Sequence, residues 1–410
     1  MEGPGRAGPD ADVKAAGIPA YPKNLKEIAS AFLLLGTTFG GPAIMGIMQA
    51  EIQEKRQWVT KARLVEGLSL VTALPGATAL QLGIFLGYNR GGWWGGLIAG
   101  LCFVLPAFFI MLALAAGYAA YGALPLMRGI VYGLGPVVVG VFLVAVYRLG
   151  RAVAVTTSQR VVAIASATAL ALTPLGVVAI LALGGAIGLV LFHSRRLGAI
   201  VVCGVCALIA LVHFSPWSVT ALVPAALDAG TSARPASLLD IGSFFLMTGA
   251  LSFGGGLSLL AFIQQHVVNH YHWLTPEEFV AGLALGQLTP GPIIMVAAYV
   301  GYKLAGMAGA ALATAAVFLP SFVLMLSILP FFDRATKVLW TKAAMKGIGP
   351  AVLGVLAVSL LQVASHALRD LPAVVLFVAT IAALLAWRVG VFKLMAAGAV
   401  LGALYASLVG

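Results

Sequence analysis

The residues best suited to chemistry in this sequence are glycines and prolines that interrupt four apolar stretches. Glycine costs about 1 kcal/mol relative to alanine inside a helix, and proline removes a backbone donor. Each interruption therefore predicts a broken helix whose next segment begins with free N–H groups. Those groups, with the positive end of the helix dipole, attract an anion. The four breaks are Phe39-Gly40-Gly41-Pro42, Leu74-Pro75-Gly76-Ala77, Phe253-Gly254-Gly255-Gly256 and Thr289-Pro290-Gly291-Pro292.

Hydroxyl and amide side chains beside the four breaks suit an oxyanion. Because the breaks occur as two matched pairs, we expect them to converge on one substrate site. The alternative is that glycine and proline only kink the helices or let them pack closely. The residues predicted to bind substrate are Thr37, Thr38, Phe39, Gly40, Gly41, Pro75, Gly76, Thr78 and Gln81 in the first half, and Ser252, Phe253, Gly254, Gly255, Gln287, Thr289, Pro290 and Gly291 in the second.

Three further charged residues could assist the passage of an anion. Arg128 and Lys342 lie 214 residues apart, each at the mouth of a long apolar segment, where they could draw anions into a vestibule. The alternative is a cation that snorkels to an interface. Glu66 lies just inside an apolar segment and could carry a proton, although an interfacial carboxylate is equally ordinary there.

No catalytic residue, cofactor or metal is predicted. The sequence lacks a Walker A loop, a dinucleotide fingerprint and an H-E-x-x-H motif, so nothing indicates that ATP drives the process. His266, His270 and His272 cluster in one predicted loop, and a spacing of four could pair the first two on a metal. Exposed loop histidines are commoner than such ligands, so we expect no metal site.

The elements that must position these residues are membrane helices. Of the 410 residues, 61% are hydrophobic and 9% are charged, against about 25% charged in a soluble domain. Apolar runs of about 17–28 residues recur along the chain, each long enough to cross a bilayer. The composition excludes a water-soluble enzyme and predicts an all-α polytopic membrane protein. The net charge of +11 indicates basic loop ends that orient the helices, and no nucleic-acid partner.

The chain contains two copies of one unit. Gly133-Leu134-Gly135-Pro136 recurs 214 residues later as Gly347-Ile348-Gly349-Pro350. Each copy holds six apolar segments, and one unpaired segment at about 198–224 lies between them. The predicted division is a disordered cytoplasmic tail at 1–27, a first repeat at 28–193, a linker with a single transmembrane helix at 194–240 and a second repeat at 241–410.

The second copy is predicted to be inverted, because an odd number of segments precedes it. The loop after the first segment contains Lys55, Arg56, Lys61 and Arg63, whereas its counterpart at 264–275 contains no Lys or Arg. Cytoplasmic loops collect these residues, so the two equivalent loops should face opposite sides. Both observations favour inverted-topology repeats, the plan of many secondary transporters.

The first two segments of each copy are predicted to be re-entrant hairpins, broken at the glycines and prolines. Nine crossings and four hairpins would leave only Arg128, Arg234, Lys303 and Arg369 outside, and the other 20 of the 24 basic residues inside. Thirteen complete crossings would give 16 inside and 8 outside. The first arrangement obeys the positive-inside rule better. An arm of about 10 residues rises about 15 Å, which brings each break near the bilayer midplane.

At these residues the sequence resembles the chromate ion transporter family in its two-domain, long-chain form. The likeness covers about 28–364. Two positions depart from the paired pattern: Ala77 stands where the second proline of Pro-Gly-Pro would be, and Gly256 stands where the first half has Pro42. The resemblance rests on Phe39-Gly40-Gly41-Pro42, Leu74-Pro75-Gly76, Val104-Leu105-Pro106, Gly286-Gln287-Leu288-Thr289-Pro290-Gly291-Pro292 and Phe318-Leu319-Pro320-Ser321.

The resemblance implies chromate efflux across the bacterial inner membrane, chromate resistance, and sulfate as the related oxyanion. The N-terminus would be cytoplasmic. A dianion leaving a negative interior gains about 4–5 kcal/mol per 100 mV, so the membrane potential could drive export and antiport against another ion stays open. Transport of sulfate or another small anion also stays open, as does a homodimer. The alternative from another class is an intramembrane lipid-handling enzyme that uses Glu66 or the histidine cluster.

Overall fold

A computed structural model describes residues 25–38, 44–122, 124–173, 175–214, 236–252, 257–331, 339–387 and 389–409. Helices joined by short turns make up these ranges, and no strand occurs within them. The predicted all-α class is therefore confirmed over the described residues. Residues 1–24 of the predicted tail lie outside the described residues. The last three residues of that tail, 25–27, form the start of the first helix.

Seven helices of the described chain precede the linker. α2 (Ile44–Met48) continues as a π-helix over Gln49–Lys55. The next helix, α8, spans Arg195–Phe214 and contains the start of the predicted unpaired segment. The seven are α1 (Leu25–Gly36), α2 (Ile44–Met48), α3 (Lys61–Ala73), α4 (Thr78–Tyr121), α5 (Pro125–Val153), α6 (Thr157–Leu172) and α7 (Val177–Phe192).

The same series of helices recurs after the linker. α5 and its counterpart α13 (Leu339–Ala367) have equal lengths and begin 214 residues apart. A π-helix again follows the second helix of the copy, over Gln264–His270. Short 3-10 turns at Ile293–Met295 and Leu329–Phe331 flank α12 (Val296–Ile328). The helices are α9 (Leu238–Ala250), α10 (Leu257–Ile263), α11 (Pro276–Leu288), α12 (Val296–Ile328), α13 (Leu339–Ala367), α14 (Leu371–Leu385) and α15 (Val391–Val409).

Threonine caps fix where the second broken segment of each copy begins. The Thr275 hydroxyl accepts a hydrogen bond from the Glu278 backbone N–H, and the Glu278 carboxylate accepts one from the Thr275 N–H, at 3.2 and 3.0 Å. In the first copy the Thr60 hydroxyl accepts from the Arg63 N–H at 3.2 Å. Each cap satisfies backbone donors that the first turn of a helix leaves unpaired.

α4 folds back on itself as a helical hairpin. Gly91 and Gly92 leave the helical conformation, and Gly92 has a φ of +64°, which favours glycine. The two arms then pack so closely that a Cβ on Gly87 would overlap the carbonyl oxygen of Gly95. The first arm, 78–90, has a length of about 20 Å, too short to cross a bilayer of about 30 Å.

α12 repeats this hairpin in the second copy. Its helical conformation is interrupted at Ala305 and Gly306, and Gly306 has a φ of +59°. Gly301 packs against the backbone of Gly309 just as Gly87 does against Gly95. The short first arm is therefore a property of both copies.

The late helices of each copy pack against the other copy. A Cβ on Gly133 of α5 would lie 2.8 Å from the Cα of Gly402 of α15, and a Cβ on Gly347 of α13 would lie 2.7 Å from the Cα of Gly188 of α7. These contacts are equivalent, because each residue of the first pair lies 214 positions from a residue of the second. Small residues let helix backbones approach this closely. The same close glycine contact therefore joins the two copies twice.

The equivalent helices α5 and α13 run antiparallel to each other. A Cβ on Gly135, early in α5, would lie 3.6 Å from the Cβ of Ala367 at the end of α13. A Cβ on Gly150, late in α5, would lie 3.4 Å from the Leu353 side chain, which is nearer the start of α13. The two helices therefore pass each other in opposite directions at this contact.

Five stretches of the described chain are long and apolar enough to cross a membrane by themselves. Shorter apolar helices of 10–17 residues accompany them. This pattern fits the predicted polytopic membrane protein. The five stretches are Thr78–Tyr121, Pro125–Val153, Ile293–Phe331, Ala343–Ala367 and Val391–Leu408.

Candidate functional site

Both predicted Pro-Gly breaks are present. α3 ends at Ala73 and α4 begins at Thr78, while α11 ends at Leu288 and helical structure resumes at Ile293. Gly76 and Gly291 have φ values of +126° and +87°, in the region that favours glycine. Each Pro-Gly pair therefore makes a turn that a substituted residue would strain.

The two Phe-Gly-Gly breaks fall outside the described residues. The helices that precede them end close to the predicted breaks, because α1 ends at Gly36 and α9 ends at Ala250. The predicted site residues Phe39, Gly40, Gly41, Phe253, Gly254 and Gly255 belong to these undescribed stretches.

Reciprocal backbone hydrogen bonds join the breaks of the two copies. The Gly76 N–H donates to the Ser252 carbonyl oxygen at 2.6 Å, and the Gly291 N–H donates to the Thr38 carbonyl oxygen at 3.4 Å. Each bond connects the Pro-Gly turn of one copy to the residue just before the Phe-Gly-Gly segment of the other. These two bonds bring each described turn next to the other copy, between residues that are 176 and 253 positions apart in sequence.

The backbone N–H groups at these turns have hydrogen-bond acceptors. The sequence predicts free donors there, but Gly76 and Gly291 each donate to the opposite copy, and so does Ala77. A buried donor without a partner costs about 1–3 kcal/mol, so the neighbouring copy supplies acceptors. In this arrangement the turns hold the copies together.

Ser321 lies beside the Pro75–Ala77 turn, although it is not among the residues predicted to bind substrate. Its side chain is fully buried, and its Oγ accepts a hydrogen bond of 2.9 Å from the Ala77 N–H. At the equivalent place Pro292 has no N–H, and Ala107 replaces the serine beside Gly291. The departure at Ala77 therefore introduces a donor, and Ser321 supplies its acceptor.

Two buried polar side chains beside this contact retain unused hydrogen-bonding capacity. Gln81 is fully buried, and its Nε2 donates to the Pro75 carbonyl oxygen at 2.6 Å, but its Oε1 has no partner among the described residues. The Ser252 hydroxyl is 1% exposed and also lacks a partner there. Most buried polar groups in proteins are paired, so these two mark a place where a polar guest would be stabilised.

The polar cluster is asymmetric between the copies. Met295 occupies the position equivalent to Gln81, and Ala107 the position equivalent to Ser321. The contact that contains the Pro75–Ala77 turn thus has an amide and a hydroxyl at two positions where the other contact has apolar side chains.

The other predicted hydroxyls satisfy local partners. Thr37 and Thr38 both donate to the Leu34 carbonyl oxygen, at 2.8 and 2.9 Å. Thr289 donates to the Leu285 carbonyl oxygen at 2.7 Å and lies 3.8 Å from the Met111 Sδ. Such bonds back to the preceding turn are common for threonine in membrane helices, and they leave these hydroxyls less available to a substrate.

Thr78 and Gln287 complete the predicted set. Thr78 is buried at the start of α4. Gln287 lines a cavity of about 20 Å³ together with Phe142, Leu283 and Ile293. That volume is close to the space one water molecule requires, so it does not hold a tetrahedral oxyanion.

Charged and aromatic residues gather where the first two segments of copy one begin and end. Arg90 in the α4 turn contacts Glu27 at the start of α1, with an Nη2–Oε2 distance of 3.0 Å, and lies 5.4 Å from the centroid of the Trp58 ring. Arg63 at the start of α3 donates to Asn89 at 3.2 Å. The starts of α1 and α3 therefore lie beside the α4 turn.

The second copy has the same arrangement. Glu278, in the first turn of α11, pairs with Lys303 near the α12 turn at 2.8 Å. Both ends of this broken segment therefore meet as well.

The family assignment follows from the match of both copies. The family model described as chromate transporter matches residues 26–189 and again residues 239–403. This chain belongs to the chromate transporter family. The predicted recognition is confirmed, and membership identifies a transporter of the membrane, not an enzyme, which sets the lipid-handling alternative aside.

Curated relatives of this transporter span almost its whole length. A protein of Synechococcus elongatus named probable chromate transport protein is 33% identical, over 91% of this chain and 92% of that protein. The chromate transport protein of Cupriavidus metallidurans is 32% identical, over 95% and 96%. That of Pseudomonas aeruginosa is 30% identical, over 90% and 88%. No solved structure matches the chain.

The other charged residues singled out in the transporter lie at helix starts. Arg128 is exposed in the first turn of α5. Lys342 lies near the start of α13, and its side chain is not among those that the structure describes. Glu66 is about half exposed in an ion pair with Arg63, at 3.1 Å. Within the described residues this pairing favours an interfacial carboxylate at Glu66 and not a buried residue that carries a proton.

Two histidines of the transporter bond to a backbone carbonyl four residues earlier in the chain. His266 Nδ1 lies 2.9 Å from the Phe262 carbonyl oxygen, and His272 Nδ1 lies 2.9 Å from that of Val268. The His266 and His270 rings are 6.2 Å apart. Over the described ranges, no group of three metal-ligating side chains is assembled.

Proposed function

We propose that this protein is a secondary transporter that exports chromate from the cytoplasm and so confers chromate resistance. Family membership and the names of the relatives support the substrate class. The direction follows from charge, because a dianion leaving a negative interior gains about 4–5 kcal/mol per 100 mV. The membrane potential alone is sufficient to drive this export. Antiport against another ion is a variant of the same proposal.

The proposed substrate site lies at the contact between the Pro75–Ala77 turn and Ser252. The observation that carries this choice is the pair of unpaired buried groups there, the Ser252 hydroxyl and the Gln81 Oε1. A hydroxyl donates directly to an oxyanion. Because the oxygen and nitrogen of a side-chain amide exchange places by a rotation of the amide, Gln81 can also present an N–H to the substrate.

The backbone donors at the turn extend this site. The N–H groups of Gly76 and Ala77 now donate to Ser252 and Ser321 of the other copy. If the two copies move apart during transport, these donors become free and can bind the oxyanion in place of the protein acceptors. The remaining residues of the predicted set at the breaks belong to the same proposal.

The two copies are proposed to have inverted membrane topology. The antiparallel packing of α5 and α13 supports this, and a second pair of equivalent helices agrees. Gly96 of α4 lies against Leu326 of α12, and Gly100 lies against Phe322, so these helices also run in opposite directions. A two-fold axis across such helices lies in the membrane plane, as in transporters with inverted repeats.

Re-entrant segments and nine crossings complete the proposed topology. The contacts of Arg90 with Glu27 and Trp58 support re-entry, since they hold both ends of the first broken segment on one side. The proposal keeps the division into a tail, two repeats and a linker helix. The basic loop at 55–63 would then be cytoplasmic, with the N-terminus, in the inner membrane.

Uptake into everted membrane vesicles tests the function. Respiring everted vesicles are positive inside, so labelled chromate should accumulate in vesicles that contain the protein and should leave when an ionophore collapses the potential. Sulfate in excess should compete if it is the related substrate. No accumulation of chromate or sulfate above that of vesicles lacking the protein would contradict the proposal.

A competition series in the same vesicles separates the second candidate, a transporter of another small anion. The observation that favours it is that a hydroxyl and an amide bind any oxyanion of suitable size. Chromate uptake displaced more strongly by another anion than by unlabelled chromate would favour that candidate.

A further inference from the structure

A groove of about 540 Å³ lies between α6 and α7, away from the proposed substrate site. Its volume falls within the range of about 300–1,000 Å³ that is usual for ligand sites. Its lining is almost wholly apolar. The lining includes Val161, Ala165 and Ala169 of α6, and Ile180, Ile187 and Leu191 of α7.

The groove exists because both helices pack against α13. A Cβ on Gly354 of α13 would lie 3.0 Å from the Ser166 Cβ of α6, and Gly188 of α7 meets Gly347 of the same helix. Large apolar side chains beside the groove face outwards, since Val161 and Leu191 are 59% and 47% exposed. The groove is therefore open on the side away from α13.

Four exposed cations belong to the segments that meet at one end of the groove. Thr157 and Leu191 line that end. Arg160 lies one turn further along α6, Arg195 and Arg196 follow α7 at the start of α8, and Lys346 Nζ lies 5.3 Å from the centroid of the Phe192 ring. Backbone carbonyl oxygens hold the Arg160 guanidinium over the start of α6, at 3.3 Å.

No carboxylate of these helices balances the four charges. The sequence contains no Asp or Glu between residues 67 and 227, and α13 contains none either. The equivalent corner of the second copy differs, because Val374 replaces Arg160 and Tyr132 replaces Lys346. Tyr132 there donates to the Asp370 carboxylate at 2.7 Å. The fold itself thus does not require a cationic rim.

We propose that this groove binds an anionic phospholipid, with one acyl chain along α6 and α7 and the phosphate among Arg160, Arg195, Arg196 and Lys346. Arginine matches the oxygens of a phosphate with paired donors, and basic pockets between membrane helices suit anionic headgroups. Charge complementarity therefore selects an anionic lipid over a zwitterionic one, and the apolar lining accommodates its chain.

Lipid binding to the purified full-length protein tests this. The protein in detergent is titrated with phosphatidylglycerol or with phosphatidylcholine of the same chains, and bound lipid is measured by native mass spectrometry. Retention of phosphatidylglycerol at concentrations at least about tenfold below those for phosphatidylcholine is expected, since each basic residue near a headgroup adds to the attraction. Equal retention of the two lipids, or of neither, overturns the proposal; the latter would mean that another part of the chain covers the groove.

Variants separate the groove from general surface charge. Arg160→Gln with Arg195→Gln and Arg196→Gln should weaken phosphatidylglycerol binding at least about tenfold. Removing three exposed charges elsewhere, by Lys55→Gln, Lys61→Gln and Lys393→Gln, should leave it within about twofold. If both triple variants lose binding equally, the attraction is not located at this rim.

A space-filling pair tests the chain site without changing charge. Ala165→Trp fills the groove and should weaken binding of phosphatidylglycerol, whereas Ala379→Trp at the equivalent exposed position of α14 should not. Glycerol phosphate, which has no acyl chain, should fail to compete. Unchanged lipid binding by Ala165→Trp would overturn the proposal even if the arginine variants behave as expected.

Discussion

The Gly76 N–H donates a 2.6 Å hydrogen bond to the carbonyl oxygen of Ser252, and this bond joins a Pro-Gly turn of one copy to the broken helix of the other. Its counterpart runs from Gly291 to Thr38. The two bonds are equivalent under exchange of the copies, so any motion that separates the copies must break both. Alternating access at a site between two repeats would involve such a motion.

Ser252→Ala separates a binding role from a structural one. The Ser252 hydroxyl is buried without a partner among the described residues, so its removal should leave stability unchanged or raise it slightly. If the hydroxyl binds chromate, uptake into everted vesicles should fall at least about tenfold, because a hydrogen bond to a charged group contributes about 1.5–3 kcal/mol. Thermal unfolding and uptake are measured together. Wild-type uptake by a stable variant would remove Ser252 from the site.

Gln81→Glu introduces a negative charge of nearly the same shape. The new carboxylate would repel a dianion in a buried site, so chromate uptake should be lost. Gln159→Glu, in the capping box that begins α6, is the matched control and should transport normally. Uptake by the Gln81 variant at the level of this control would contradict the proposed site.

Ser321→Ala should destabilise the protein by about 1–3 kcal/mol, because the buried Ala77 N–H would lose its acceptor. Ala77→Pro removes that donor and fits the backbone, since Ala77 has a φ of −75° and Pro292 has −76°. The double variant reproduces the Pro292–Ala107 arrangement and should recover most of the loss. Denaturant unfolding of all four proteins measures the coupling, and strictly additive changes would show that the bond has no role in stability.

Gly133→Leu should prevent the close packing of α5 against α15. The added side chain would collide with the backbone of Gly398 and Gly402, and overpacking that cannot relax destabilises strongly. Gly117→Leu is the control, because a Cβ there meets nothing within 4 Å. We expect little folded protein from the first variant and normal yield from the second, as judged by size-exclusion chromatography. Equal yields would contradict the described interface.

The sequence predicts much of this architecture because the signals are local or periodic. An adjacent proline and glycine disfavour a continuous helix, so the breaks at Gly76 and Gly291 follow from residue type, whereas single prolines such as Pro136 stay inside helices. The Thr275 cap follows from a four-residue motif. The recurrence of helices follows from residue spacings that survive in both halves.

The site contacts could not be predicted in the same way. Ala77 and Ser321 are 244 residues apart, and no periodicity connects them. From the sequence alone the N–H groups at the turns are predicted to be free. Their acceptors belong to the other copy, so they are identified only once the two copies are packed together. The one indication in the sequence is a paired difference between the copies. Ala77 and Ser321 stand in one contact where Pro292 and Ala107 stand in the other.

The account rests on two copies that face opposite sides of the membrane and meet at their breaks. Single cysteines at Gln57 and His270, in a background without Cys102, Cys203 and Cys206, measure this directly with a membrane-impermeant thiol reagent applied to intact cells and to everted vesicles. The account predicts that residue 57 is labelled only in everted vesicles and residue 270 only in intact cells. Labelling of both residues from the same side would contradict it.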